Sequence, residues 1–135
     1  MGAKTARAPL KPVYTLDTNA IIYYLKGEES VVSHLDEIFA RPAAVYITTI
    51  TELELFSFSD LSGKELVDIE EFLTIVSIIA LDSRIARIGA SLRQAHHLET
   101  ADAVIAATAA YTGTTLVTRN VRDFTNIPDL ALLAI

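Results

Sequence analysis

Short, uninterrupted β-prone runs recur along the chain, and each is separated from the next by residues with helical periodicity. Residues 13–16 (Val-Tyr-Thr-Leu), 45–48, 75–81 and 115–118 read as strands, with a short fifth over 130–135. They do not alternate apolar with polar, as a half-exposed antiparallel strand would. Between them lie helices expected over 20–25, from Ser30 to about Ala40, over 49–58, 62–73, from Asp82 through Leu92, and 101–111. Apolar strands joined by helical crossovers bury both faces of a parallel sheet. The expected fold class is therefore α/β: three α/β/α layers around a central, mostly parallel sheet of four to five strands.

Local punctuation supports these boundaries. Asp17-Thr18-Asn19 can cap the first helix and Gly27 can stop it. Ser30, Asp82 and Thr100 are expected helix caps. Ser62-Gly63-Lys64-Glu65 is a capping-box pattern, and Thr49 with Glu52 matches another. Leu53 and Phe56 are spaced for a packed helix face. Gly113 fits the position just past a helix end.

The chain has 135 residues and no internal repeat or linker, so residues 13–135 are expected to form one domain behind a flexible leader at 1–12. That leader carries charges but no apolar core, which excludes a secretory signal. No apolar run approaches the roughly 20 residues of a membrane helix. There are no cysteines, which excludes disulfides and thiolate chemistry and fits the reducing cytoplasm, the expected compartment. Hydrophobic residues make up 51% and mean hydropathy is +0.37, so surface buried against a partner is expected. The net charge of −6 runs against the basic surface usual for nucleic-acid binding. A metal-dependent nuclease is an exception, because its site acids inflate the negative count and bound cations offset them.

In doubly wound sheets, ligands bind beyond the carboxyl ends of the strands. Asp17 directly follows the first strand. Asn120 and Asp123 follow the fourth. Glu54 lies in the early turns of the helix after the second strand, and Asp102 opens the helix leading to the fourth. Crowded carboxylates repel unless a cation joins them. Oxygen-only ligands suit Mg²⁺ or Mn²⁺, which can activate a water for phosphodiester hydrolysis. Each acid has a blander reading. Asp17 could be a cap, Asp102 a charge favoured by the helix dipole, and Asp123 a turn residue. Glu52 has a cap to explain it, whereas Glu54 has none. Arg119 and Arg122 flank the site and could touch phosphates, as could Thr18, Asn19 and Thr118. His96 and His97 are read as helix-end residues, and Arg84, Arg87 and Arg93 as surface charges.

Four blocks in order, Leu16-Asp17-Thr18-Asn19, Ile50-Thr51-Glu52-Leu53-Glu54-Leu55, Ala101-Asp102-Ala103-Val104-Ile105-Ala106-Ala107 and Val117-Thr118-Arg119-Asn120-Val121-Arg122-Asp123-Phe124, resemble a PIN domain. The likeness is greatest to the VapC-like toxins of toxin–antitoxin pairs. It implies a Mg²⁺- or Mn²⁺-dependent endoribonuclease that is a homodimer and is silenced by a cognate antitoxin. By that likeness Asp17, Glu54 and Asp102 are the principal acids. Many relatives have Asp where this chain has Asn120, so Asn120 would offer a neutral oxygen and Asp123 the charge. Phe56-Ser57-Phe58 replaces a glycine of many relatives. A catalytically degenerate PIN module that binds RNA or protein without cutting is the alternative. Phosphotransfer on Asp17 is a further possibility, but haloacid-dehalogenase phosphatases need a second Asp where Asn19 stands, and the set of acids and lysine that receivers need is missing.

Overall fold

The computed structural model describes residues 13–135. The leader expected at 1–12 lies outside the described residues. The elements run β1 (Tyr14–Leu16), α1 (Thr18–Leu25), α2 (Glu29–Phe39), β2 (Val45–Thr48), α3 (Thr49–Phe56), α4 (Gly63–Leu73), β3 (Ser77–Ile79), α5 (Ser83–His96), α6 (Thr100–Thr112), β4 (Thr115–Thr118), α7 (Val121–Phe124) and β5 (Leu132–Ala134). The five strands are ordered β3-β2-β1-β4-β5, and every pairing is parallel.

Side chains alternate between the two faces of that sheet. Tyr14, Leu16, Ile47 and Val117 join Ile21, Leu35, Leu55, Ile69 and Phe72 in one core. Leu116 and Leu132 point the other way and pack with Ala103, Ile105, Ala106 and Phe124. Helix α6 is buried at every residue from Ala103 to Ala109, as its apolar sequence requires. Small residues let α5 lie close against it: a Cβ at Gly89 would stand 3.4 Å from the Ala103 carbonyl oxygen.

Several helix ends form as expected. Ser62 and Glu65 make both bonds of a capping box. The Asp82 carboxylate accepts from the Ile85 amide at 3.0 Å. Gly113 adopts the left-handed conformation, φ 66°, that ends α6. Elsewhere the structure differs. Helix α2 starts two residues earlier, with Glu28 rather than Ser30 at its cap, and Glu99 rather than Thr100 precedes α6. The box expected of Thr49 and Glu52 does not form. Thr48 is the cap, its hydroxyl accepting from the Thr51 amide at 3.1 Å, while Thr49 accepts from the Leu81 amide at 3.1 Å. Glu52 is left as a first-turn acid that the helix dipole favours.

The face of α3 also differs. Thr51 and Leu55, four apart, turn into the core, whereas Leu53 and Phe56 are 60% and 40% exposed. Spacing alone marks two residues as sharing a face, but docking decides which face is covered. The third strand is shorter than the apolar run 75–81 and lies at the sheet edge, with Ile75, Ile78 and Leu81 exposed. The expectation that both faces are covered does not hold there, because the strand has a neighbour on only one side.

Candidate active site

The strand order reverses at β1, which has β2 on one side and β4 on the other. Helical crossovers leave a parallel sheet in opposite directions from such a point, opening a crevice beyond the strand ends. Asp17 sits at that end of β1, and Thr118 ends β4 beside it. Asp17 occupies the cap position of α1 but makes no side-chain cap bond. Instead its Oδ2 accepts from the Thr118 hydroxyl at 2.8 Å, across 101 residues of sequence. The Thr118 oxygen in turn accepts from the Asn120 amide at 2.9 Å. Asp17 is thus turned from a helix cap into a buried carboxylate held from the neighbouring strand.

Glu54 is held from β1's side. The Thr18 hydroxyl donates to its Oε1 at 2.7 Å. Thr18 has one proton to give, so the Thr51 hydroxyl, 2.8 Å away, donates to Thr18. Both threonines are buried. Thr18 and Thr118 therefore stand behind the acids and orient them; neither lies on the exposed surface expected of a substrate contact. Asn19 is exposed.

Asp102 shows that these acids converge. Its carboxyl is pushed up from 3.8 to about 6, first by burial and then by Asp17, Asp123, Glu54 and Glu99. Asp17 is also raised, chiefly by burial, against the lowering pull of the Thr118 hydroxyl and the Thr18 amide, with Glu54 adding repulsion. The acids come from the end of β1, from α3, α6 and α7, so the crevice gathers what the sequence scatters. Asn120 is at the cap position of α7, and both it and Asp123 are exposed. One participant carried no sequence signal: Glu99, whose position before α6 reads as a loop.

A model of the PIN domain matches residues 14–130. The chain belongs to the PIN-domain family. Over 120 residues this PIN domain is 31% identical to ribonuclease VapC19 of Mycobacterium tuberculosis, which covers 85% of this chain and 94% of that protein. Among solved structures it is similar to VapBC2 of Rickettsia felis bound to a promoter DNA fragment, with a TM-score of 0.79, 26% identity and coverage of 91% and 98%. A toxin–antitoxin complex from Klebsiella pneumoniae matches with a TM-score of 0.76 at 30% identity, covering 90% and 99%. FitAcB of Neisseria gonorrhoeae matches at 0.68 with 33% identity, covering 89% and 96%.

The donor chemistry of the site fits a hard divalent cation. It offers oxygens only, and the repulsion felt at Asp102 is what a cation relieves. Among the described residues no three acids form a ready-made metal cage.

The Thr118 bond makes a prediction. Thr118→Val keeps the shape of the buried side chain but frees Asp17 to turn. Loss of a supporting hydrogen bond of this kind typically lowers activity by roughly 10- to 100-fold. Steady-state cleavage of an RNA substrate should show that drop in kcat with the fold intact by circular dichroism. Wild-type kcat would mean that Thr118 does not set the position of Asp17.

Proposed function

We propose that this PIN domain is a metal-dependent endoribonuclease and the toxin of a VapBC-type pair, acting in the cytoplasm as residues 13–135 of one domain. One observation supports the reading: at the switch point of a parallel sheet the Asp102 carboxyl is raised to about 6, first by burial and then by the charges of Asp17, Asp123, Glu54 and Glu99. Asp17, Glu54, Asp102 and Asp123 would hold Mg²⁺ or Mn²⁺, with Asn120 adding a neutral oxygen. Such an ion would lower the pKa of a water and offset charge at the scissile phosphate.

The chain's own residues supply the rest. Thr118 and Thr18 fix the directions of Asp17 and Glu54 before substrate arrives, which lowers the reorganisation needed during reaction. Arg122 is exposed beside Asp123 and is in position to meet a phosphate. Burial of Asp17 limits the screening of its own charge by bulk water. The ribonuclease activity of the relative and the toxin–antitoxin composition of the similar structures support the same reading.

The exposed apolar residues support partners. Leu53, Phe56, Phe58, Val67 and Ile75 are each at least 40% exposed, apolar surface that a partner would bury. A cognate antitoxin and a second copy of the chain would cover it. No helix among the described residues is long and apolar enough to cross a membrane.

Purified protein incubated with structured and single-stranded RNAs tests the activity. Cleavage is expected with Mg²⁺ or Mn²⁺ and not with EDTA; persistence in EDTA would defeat the metal mechanism. Saturable RNA binding without cleavage in either metal would favour the degenerate-module reading, which the uncharged Asn120 makes a specific alternative.

A further inference from the structure

Arg119 follows the last residue of β4 and looks, in sequence, like a phosphate contact. In the structure its guanidinium is already engaged. Nη1 lies 2.5 Å from Oε1 of Glu28, the residue at the cap position of α2. Its central carbon stands 4.7 Å from the centre of the Tyr23 ring on α1, well within cation–π range. Two partners from a different part of the chain therefore grip one side chain. Both members of the ion pair are about two-thirds covered, with side-chain exposures of 35% and 36%.

The residues on either side of Arg119 belong to the site. Thr118 donates to Asp17 and accepts from the Asn120 amide. The Asp123 amide donates to the Asn120 carbonyl at 3.0 Å, which starts the single turn of α7. Four residues make a helix too short to hold itself, so α7 depends on what anchors its ends. Phe124 anchors the far end in the core. At the near end Val121 packs against the same core, and the Thr118–Asn120 bond and the grip on Arg119 hold the loop that leads into it.

We propose that Arg119 is a positioning residue: tied to Glu28 and Tyr23, it fixes the loop between β4 and α7 so that Asn120 and Asp123 stand beside Asp102, and it does not grip the RNA. The proposal rests on the ribonuclease reading for its consequence in catalysis, but not for the clamp itself.

Amide hydrogen exchange of the metal-free protein tests the clamp without any activity. Arg119→Gln and Glu28→Gln should each speed exchange at the Asn120 and Asp123 amides while leaving the β1 and α6 amides unchanged. The exchanged pair Arg119→Glu with Glu28→Arg should restore part of the protection. Unchanged exchange in Glu28→Gln, which lies outside the site, would overturn the proposal whether or not the protein cuts RNA.

Catalysis and binding then separate a positioning role from a contact. Both single variants should lower kcat by roughly ten- to a hundredfold, as a small misplacement of a catalytic group does, with KM little changed. The exchanged pair should recover part of that loss, which no phosphate contact could. RNA binding measured in EDTA against salt should keep its slope in Arg119→Gln. A slope reduced by about one, the mark of a lost phosphate contact, would assign Arg119 to the substrate instead. If the wild type cuts no RNA, the functional reading fails, and the exchange result still decides the clamp.

Discussion

Asp102→Asn is expected to abolish RNA cleavage and, in EDTA at neutral pH, to make the protein more stable. The loss of cleavage should exceed the roughly 100-fold that removal of a merely supporting bond can cause, because Asp102 stands where the other acids' fields meet. The gain in stability follows from the direction of its pKa shift. Unfolded, the carboxyl titrates near 3.8; folded, it is raised to about 6, first by burial and then by Asp17, Asp123, Glu54 and Glu99. Ionising it is therefore harder in the folded state. Below about pH 3.8 both states hold the proton and nothing is lost. From there through pH 6 the folded state keeps a proton that the unfolded state has released, so stability falls as pH rises. Asp17 is raised in the same direction and adds to the trend. Asp102 is partly exposed, so solvent screening reduces the effect to about 1 kcal/mol. Denaturant titrations in EDTA at pH 4 and pH 7.5 should show the wild type losing more stability over that span than Asp102→Asn. Added Mg²⁺ or Mn²⁺ should raise the stability of the wild type at pH 7.5 and leave the variant nearly unmoved. A variant less stable than wild type at pH 7.5 in EDTA would show that Asp102 is a structural acid.

Glu54→Gln should reduce cleavage by at least roughly 100-fold, whereas Glu52→Gln should leave it largely intact. The two residues are two apart on α3 and point to different sides of the helix. Glu54 is turned to the crevice, its Oε1 held by Thr18 and its charge felt at both Asp17 and Asp102. Glutamine keeps an oxygen that can accept from Thr18, so the variant should fold normally while losing the negative charge. Glu52 caps nothing, because Thr48 is the cap of α3. Its loss removes only a favourable dipole contact, worth about 0.3–1 kcal/mol at a helix N-terminus. Paired steady-state assays and thermal melts decide the matter. If Glu52→Gln is the inactive variant, the wrong glutamate has been assigned.

Much of the site was legible before the fold was known, and the particular residues show why. Asp17 and Asn120 could be placed because one directly follows a β-prone run and the other comes two residues after one, and the ends of parallel strands share one edge. Asp102 stood out as a charge within an apolar helix. Glu54 was set apart from Glu52 partly for a reason that did not survive, since the expected cap at Thr49 belongs to Thr48; what sets it apart in the structure is the Thr18 bond. Leu53 and Phe56 looked like core by spacing and lie at the surface. Arg119 reads in sequence as able to touch a phosphate, with an acid-paired arginine as the blander reading, and nothing local marked Glu28 and Tyr23 as its partners.

Period and punctuation are local properties, so the chain alone determined an α/β fold, the β-prone runs of the central strands, both ends of α4, the start of α5 and the end of α6. It could not determine which strand lies beside which. Only the tertiary structure set β4 next to β1, and with that adjacency came the Thr118 bond to Asp17 across 101 residues, the field of three other elements upon Asp102, and the grip of α1 and α2 upon Arg119. The physical reason is that carboxylate repulsion, hydrogen bonds and ion pairs act over a few ångströms in space. They are invisible until long-range packing decides which distant residues share those few ångströms.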